Sequence, residues 1–166
     1  MSKQIRAAVI TVSDACASGE RKDESGETLV RLLRDIGAEI VAKKVVSDDL
    51  EPLAALLSAQ AELPDVNLVI TTGGTGFGPR DNTPEATRMT IEREAPGLSE
   101  AMRAESLKHT PMGMISRGVC GIRSNCLIVN LPGSPKAVTE SFAVIERVLP
   151  HVIDLLSGQT RHRTGS

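Results

Sequence analysis

The chain has 166 residues, 40% hydrophobic and 24% charged, the balance of one ordinary globular domain that can bury roughly 70% of its unfolded surface. A net charge of −2, no Trp or Tyr, and only Phe77 and Phe142 as rings exclude a basic surface that stacks nucleic-acid bases on aromatics. Nor does any apolar run approach the ~18 residues of a membrane span, and the N-terminal apolar run is too short for a signal peptide. No nucleic-acid or membrane partner is therefore expected, and the expected location is cytoplasmic. Cys16, Cys120 and Cys126 have no Cys-x-x-Cys spacing and read as free thiols in a reducing compartment.

In chain order, Ile5 to Ser13 reads as a buried strand and Asp14 to Asp23 as a polar loop. Ser25 is a candidate cap for a helix through Ile36, whose stripe is Leu29, Leu32, Leu33 and Ile36 and whose end is Gly37. Glu39 to Val46 alternates like a strand. Asp48 or Asp49 then caps a helix with Leu53, Leu56 and Leu57 on its apolar face. Val66 to Thr72 is the third strand. Thr83-Pro84-Glu85 opens a helix expected to stop before Pro96-Gly97, and another covers Leu98 to Lys108. Arg117 to Ile122 and Cys126 to Leu131 flank a short turn and suit a hairpin. The last helical stretch, Lys136 to Leu156, should break or kink at Pro150. Met112 and Met114 read as gap-filling core or loop residues. One domain over residues 1–158 with a flexible tail, 159–166, is expected.

Strands alternating with helices predict a three-layer α/β/α fold around a mostly parallel sheet. Ligands of such sheets bind beyond the carboxyl ends of the strands. Asp14, Asp48, the glycine loop after Thr72 and Pro132-Gly133-Ser134 all follow predicted strands, so they should converge on one edge.

The loop Gly73-Gly74-Thr75-Gly76-Phe77-Gly78-Pro79-Arg80-Asp81 joins a strand to a helix start. Glycines there let backbone N–H groups close on a phosphate, and the helix end adds partial positive charge. Arg80 supplies a cation. An acid, Asp81, beside a phosphate would repel it unless a divalent cation lay between them. The loop is neither a P-loop, since no Gly-Lys-Ser/Thr follows, nor a dinucleotide fingerprint. A simple turn is the plainer alternative for the loop, and a helix cap is the plainer one for Asp48 and for Ser134. On the functional reading Asp48 and Asp81 hold Mg²⁺ against nucleotide phosphates. Lys136 opposes the local helix dipole, which a substrate phosphate would explain. His109, His151 and His162 show no ligand spacing and no acidic partner nearby.

Taken together, Thr11 to Asp14, Val45 to Asp49, Leu68 to Thr87, Ile91 to Gly97, Ser116-Arg117, Cys120 to Arg123 and Leu131 to Lys136 resemble the molybdopterin-binding family of molybdenum cofactor biosynthesis. The closest resemblance is to its molybdopterin adenylyltransferase branch, the MogA and MoaB type that also forms the G domain of gephyrin. That resemblance implies transfer of AMP from Mg-ATP to the terminal phosphate of molybdopterin, with release of pyrophosphate. It implies a homotrimer and a downstream molybdenum-insertion protein as partner.

Position by position, it gives Asp48 and Asp81 the catalytic, magnesium-associated roles. Gly73, Gly74, Thr75 and Gly76 become the loop that holds the pterin-nucleotide phosphates, and Pro132, Gly133, Ser134 and Lys136 the second binding loop. Asp14 sits at the same edge. Ser47 and Asn82 depart from the proline and valine of many relatives without removing a charge. The alternative function is a non-catalytic molybdopterin carrier or assembly scaffold of the same fold.

Overall fold

Three strands of this chain are apolar on both faces, and that dictates what surrounds them. They are β1 (Arg6–Val12), β3 (Leu68–Thr72) and β6 (Cys126–Leu131), and every residue of β3 and β6 is buried. The computed structural model describes residues 2–158, and the expected tail lies outside them. Between and after those strands come α1 (Asp14–Ala17), α2 (Glu24–Asp35), β2 (Glu39–Val46), α3 (Leu50–Ala61), α4 (Thr83–Thr90), β4 (Arg93–Glu94), α5 (Pro96–His109), a 3-10 turn (Pro111–Ile115), β5 (Cys120–Arg123), α6 (Pro135–Ile145) and α7 (Leu149–Leu156).

The sheet order is β2-β1-β3-β6-β5-β4. The first four strands are mutually parallel, while β5 and β4 add an antiparallel edge. Alternation sorts the central side chains between two cores. Val9, Ile70 and Val129 face α2, α5, α6 and α7, where they meet Leu29, Leu33, Met102, Phe142, Ile145 and Ile153. Ile10, Val69 and Ile128 face α3 and α4, where they meet Leu53, Leu57 and Ala86. The result is the three-layer α/β/α arrangement expected from the sequence. No helix among the described residues is long and apolar enough to cross a membrane.

Several local expectations are corrected. Asp14 to Ala17 is a helical turn capped by Ser13, whose Oγ accepts from the Cys16 amide at 3.2 Å. Asp23, not Ser25, caps α2, accepting the Gly26 amide at 2.9 Å. Gly37 does end that helix: at φ +82° it sends its amide to Arg34 while the Ala38 amide reaches the Leu33 carbonyl. The helix from Thr83 stops at Thr90, short of Pro96, because the amides of Glu92 and Ala95 pair with the Ile122 and Cys120 carbonyls and form β4.

The hairpin forms, with β5 starting at Cys120 and Ser124 in the left-handed region at φ 53°. The final helical stretch breaks over residues 146–148, ahead of Pro150, which sits in the first turn of α7, where a missing N–H costs nothing. Of the two readings of Met112 and Met114, core or loop, the second holds, since both are exposed in the 3-10 turn. The three cysteines are free, as expected. Burial holds the Cys120 thiol above its ordinary value and pushes Cys126 up to about 12, so both are inert packing groups.

Candidate active site

Strand register brings the carboxyl ends of β2, β1, β3 and β6 level, with Val12 opposite Val46, Thr11 opposite Thr72, and Thr72 opposite Leu131. The loops that follow therefore share one edge. Gly73 continues the sheet, donating its amide to the Leu131 carbonyl at 3.1 Å. Its φ of +99° is open to glycine; a Cβ there would lie 2.3 Å from the Val12 carbonyl oxygen. Gly74, at φ +68°, accepts from the Thr83 amide, and the Thr83 hydroxyl donates to the Gly73 carbonyl at 2.9 Å. Thr83 thus ties the loop down from the first position of α4, with Asn82 as the residue before the helix.

The amides of Gly74, Thr75, Gly76 and Phe77 find no protein acceptor among the described residues. Consecutive free N–H groups in a left-handed turn make a concavity that suits an anion. Gly133 lies against it: a Cβ on Gly133 would sit 3.3 Å from the Gly73 Cα. The Ser134 hydroxyl accepts from the Ala137 amide at 3.2 Å, the capping role of the plainer reading.

Asp48 and Asp14 lock the ends of β2 and β1 together. Asp48 Oδ2 accepts the Asp14 amide at 2.9 Å, and Asp14 Oδ1 accepts the Asp48 amide at 3.0 Å. The other Asp48 oxygen points to the glycine loop, 3.0 Å from where a Gly74 Cβ would be. Asp49, not Asp48, is the residue before α3, and it makes no side-chain cap bond. Burial raises the Asp48 carboxyl above its ordinary value, and the charges of Asp14 and Asp81 raise it further.

Asp81 folds under its own loop, where Oδ2 accepts the Gly78 amide at 2.8 Å. Asp14 is held down to about 2, first by the Arg80 guanidinium, which grips both its oxygens at 3.0 and 2.9 Å, and then by the Asp48 amide. Arg80 also reaches Asp49 at 3.0 Å. It is therefore engaged with carboxylates, whereas the sequence reading had it as a cation for phosphate.

Two cavities open on this edge. A polar cleft of about 450 Å³ contains Asp48, Asp81, Gly73, Gly74, Gly133 and Ser134. A mostly apolar cavity of about 300 Å³ lies between α5, the 3-10 turn and α6, and contains Thr75, Gly76, Pro132, Met102 and Ile115. Ser134 lines both. The predicted set is thus divided between adjoining cavities. Asp14 lines neither, and Lys136 points outward, with its Nζ 4.0 Å from Glu140. His109 lies 3.3 Å from Glu105 and 3.8 Å from Glu140, acidic neighbours that the sequence reading did not foresee.

Arg117 is the residue whose role went unread. Its backbone amide bonds the Thr75 carbonyl, its Nε the Gly76 carbonyl and one Nη the Asp81 carbonyl, each at 2.8 Å. Glu85 pairs with the same guanidinium. Ser116-Arg117 had been quoted for the resemblance, but nothing local said what Arg117 holds.

Among the described residues no three His, Cys, Asp or Glu side chains come close enough to hold a metal ion unaided. Two carboxylates with free oxygens, beside amides suited to phosphate, fit an ion that arrives with phosphate oxygens and keeps water, as Mg²⁺ does. The Asp48 carboxyl is raised first by burial and then by the charges of Asp14 and Asp81, and such an ion would offset the latter.

Residues 8–151 match the family described as a probable molybdopterin binding domain. The chain is 44% identical to the molybdenum cofactor synthesis protein cinnamon of Drosophila melanogaster over 89% of its own length, yet it spans only 25% of cinnamon. It is 35% identical to a molybdopterin adenylyltransferase of Helicobacter pylori, covering 93% of this chain and 89% of that one. The crystal structure of the molybdopterin biosynthesis enzyme MoaB from Thermus thermophilus superposes with a TM-score of 0.88 at 42% identity, covering 93% and 98% of the two chains. The chain belongs to the molybdopterin-binding family of molybdenum cofactor biosynthesis.

Proposed function

We propose that the protein is a molybdopterin adenylyltransferase, moving AMP from Mg-ATP to the terminal phosphate of molybdopterin. The observation that carries this reading is a run of free loop amides that passes from the cleft of Asp48 and Asp81, at Gly74, to the adjoining apolar cavity, at Thr75 and Gly76, with Ser134 shared between the two. A polar, acid-floored cleft suits a metal-bound triphosphate, and an apolar cavity with a few hydroxyls suits a flat pterin. The phosphates would then meet over Gly73 to Gly76.

In the transfer, a pterin phosphate oxygen attacks the α-phosphorus. One P–O bond forms, the α–β bridging bond breaks, and its electron pair leaves with pyrophosphate. A phosphate monoester has its second ionisation near pH 6, so the nucleophile is already charged and needs no general base. That agrees with the two cavities, which no histidine lines among the described residues.

The chain's own contribution is alignment and charge. The amides of Gly74 to Phe77 cradle phosphate oxygens, Gly133 and Ser134 close the other side, and Thr83 and Arg117 keep the cradle rigid. Asp48 and Asp81 would hold Mg²⁺, which when bound offsets phosphate charge. The reading extends to a cytoplasmic homotrimer that passes its product to a molybdenum-insertion protein.

Incubation of the purified protein with molybdopterin and Mg-ATP should yield adenylylated pterin and one pyrophosphate per turnover. Asp81→Asn should retain pterin and lose at least about 100-fold in kcat. Tight pterin binding without turnover by the unmodified protein would make it a carrier instead.

A further inference from the structure

Two cations of the polar cleft have no part in the mechanism so far. Arg21 and Lys22, between α1 and α2, both line the cleft of Asp48 and Asp81. Among the described residues neither has a carboxylate within salt-bridge distance, so both are free to meet a ligand from the wall of the cleft. The segment is held in place: the Arg21 amide bonds the Ala15 carbonyl at 3.1 Å, and the Cys16 thiol lies 3.8 Å from the Lys22 carbonyl. An Nη of Arg21 donates to Ser13 Oγ at 3.1 Å, which keeps the guanidinium beside the end of β1. Its other donors stay free among the described residues.

Partly exposed acids and exposed bases that share one cleft without pairing suit a ligand that carries both signs. Acids alone would select a metal, and bases alone a bare anion. A metal-complexed polyphosphate satisfies the two together. The terminal phosphate of the pterin brings about two charges and is already served by the loop amides; the triphosphate brings about twice that.

We propose that Arg21 and Lys22 form the subsite for the β- and γ-phosphates of the nucleotide, the part that departs as pyrophosphate. This rests on the adenylyl-transfer reading. When the α–β bond breaks, its electron pair moves onto the leaving group, and the two cations take up the charge that develops there. Arg21 and Lys22 therefore select triphosphate over monophosphate and leave pterin binding alone.

The test uses the whole 166-residue chain. Binding of inorganic tripolyphosphate with Mg²⁺, measured by calorimetry, needs no turnover. R21A/K22A should weaken it about tenfold or more, while R21K/K22R stays within about threefold of the parent. In the transfer assay the KM for ATP should rise about tenfold in R21A/K22A, with molybdopterin affinity unchanged. Unaltered tripolyphosphate binding, or an equal loss of pterin affinity, overturns the subsite. Transfer with an unaltered KM for ATP in R21A/K22A also sinks the subsite and leaves the transferase standing. Tripolyphosphate binding that depends on Arg21 and Lys22, in a protein that adenylylates nothing, sinks the transferase and leaves the subsite.

Discussion

Asp48 is a partly buried acid whose charge costs the fold stability at neutral pH. Its carboxyl in the folded protein sits above the ordinary value of 3.8, through burial and the charges of Asp14 and Asp81. The folded state thus holds its proton longer than the unfolded chain, and stability falls as pH rises from about 4 through the raised value. Asp48→Asn should remove that cost, raising Tm by about 1–3 °C at pH 7 while abolishing transfer. Mg²⁺ with a nonreactive ATP analogue should raise Tm more in the parent than in this variant, by differential scanning calorimetry.

Asp14 has the opposite sign. Held at about 2 by Arg80 and the Asp48 amide, it stabilises the fold above pH 3.8 and loses that contribution as pH falls through about 2. Arg80→Met should lower stability at pH 5–7 and converge with the parent near pH 2 in acid titrations followed by circular dichroism. Asp14 was legible as a residue of this edge. Its partner was not, because Arg80 lies 66 residues further along the chain and only strand order makes them neighbours.

At the scale of the element, the glycine loop was readable because its grammar is local: a buried strand, then glycines, then a proline at a helix start. What holds it in shape is not local. Arg117 reaches the carbonyls of Gly76 and Asp81 from 41 and 36 residues away, and no spacing rule announces such a bond. Three carbonyls and a carboxylate converge on one side chain and its amide. Arg117→Lys keeps the charge but cannot make the forked contacts. It should lower kcat about 10-fold or more and leave the fold within about 1 kcal/mol of the parent by urea denaturation.

Gly73→Ala is the harsher change, since the new Cβ meets the Val12 carbonyl oxygen at 2.3 Å with a backbone at φ +99°. It should cost about 2 kcal/mol or more and displace the cradle. The misread boundaries have the same origin. Helix propensity carried the α4 pattern on towards Pro96, but the open edge of β5 captured residues 93–94 as a strand. Asp23 took the cap of α2 because Thr11 and Lys43 also bind its carboxylate.

For the molecule as a whole, the alternation of strands with helices was enough to give the layers and the parallel centre, since each follows from which faces must be buried, and with them the edge on which the loops converge. The short β4, the exposed Met112 and Met114 and the division of the edge into two cavities depend on tertiary packing, which composition does not encode. Phe142 is the only aromatic residue in either core among the described residues, 1% exposed, in the layer made by α2, α5, α6 and α7. Its truncation to alanine should cost about 3–5 kcal/mol. Because α6 also walls the apolar cavity, pterin affinity should fall further than tripolyphosphate affinity in that variant.

On the proposed reading, Ser134 divides two wells that take separate reactants, and transfer joins the AMP of one to the pterin phosphate of the other while pyrophosphate leaves. The adenylylated pterin would then be tethered at both ends, and either end that lets go would be recaptured by the proximity the other enforces. Departure would become the slow event, and a recipient that peels off one end would gain the other for nothing.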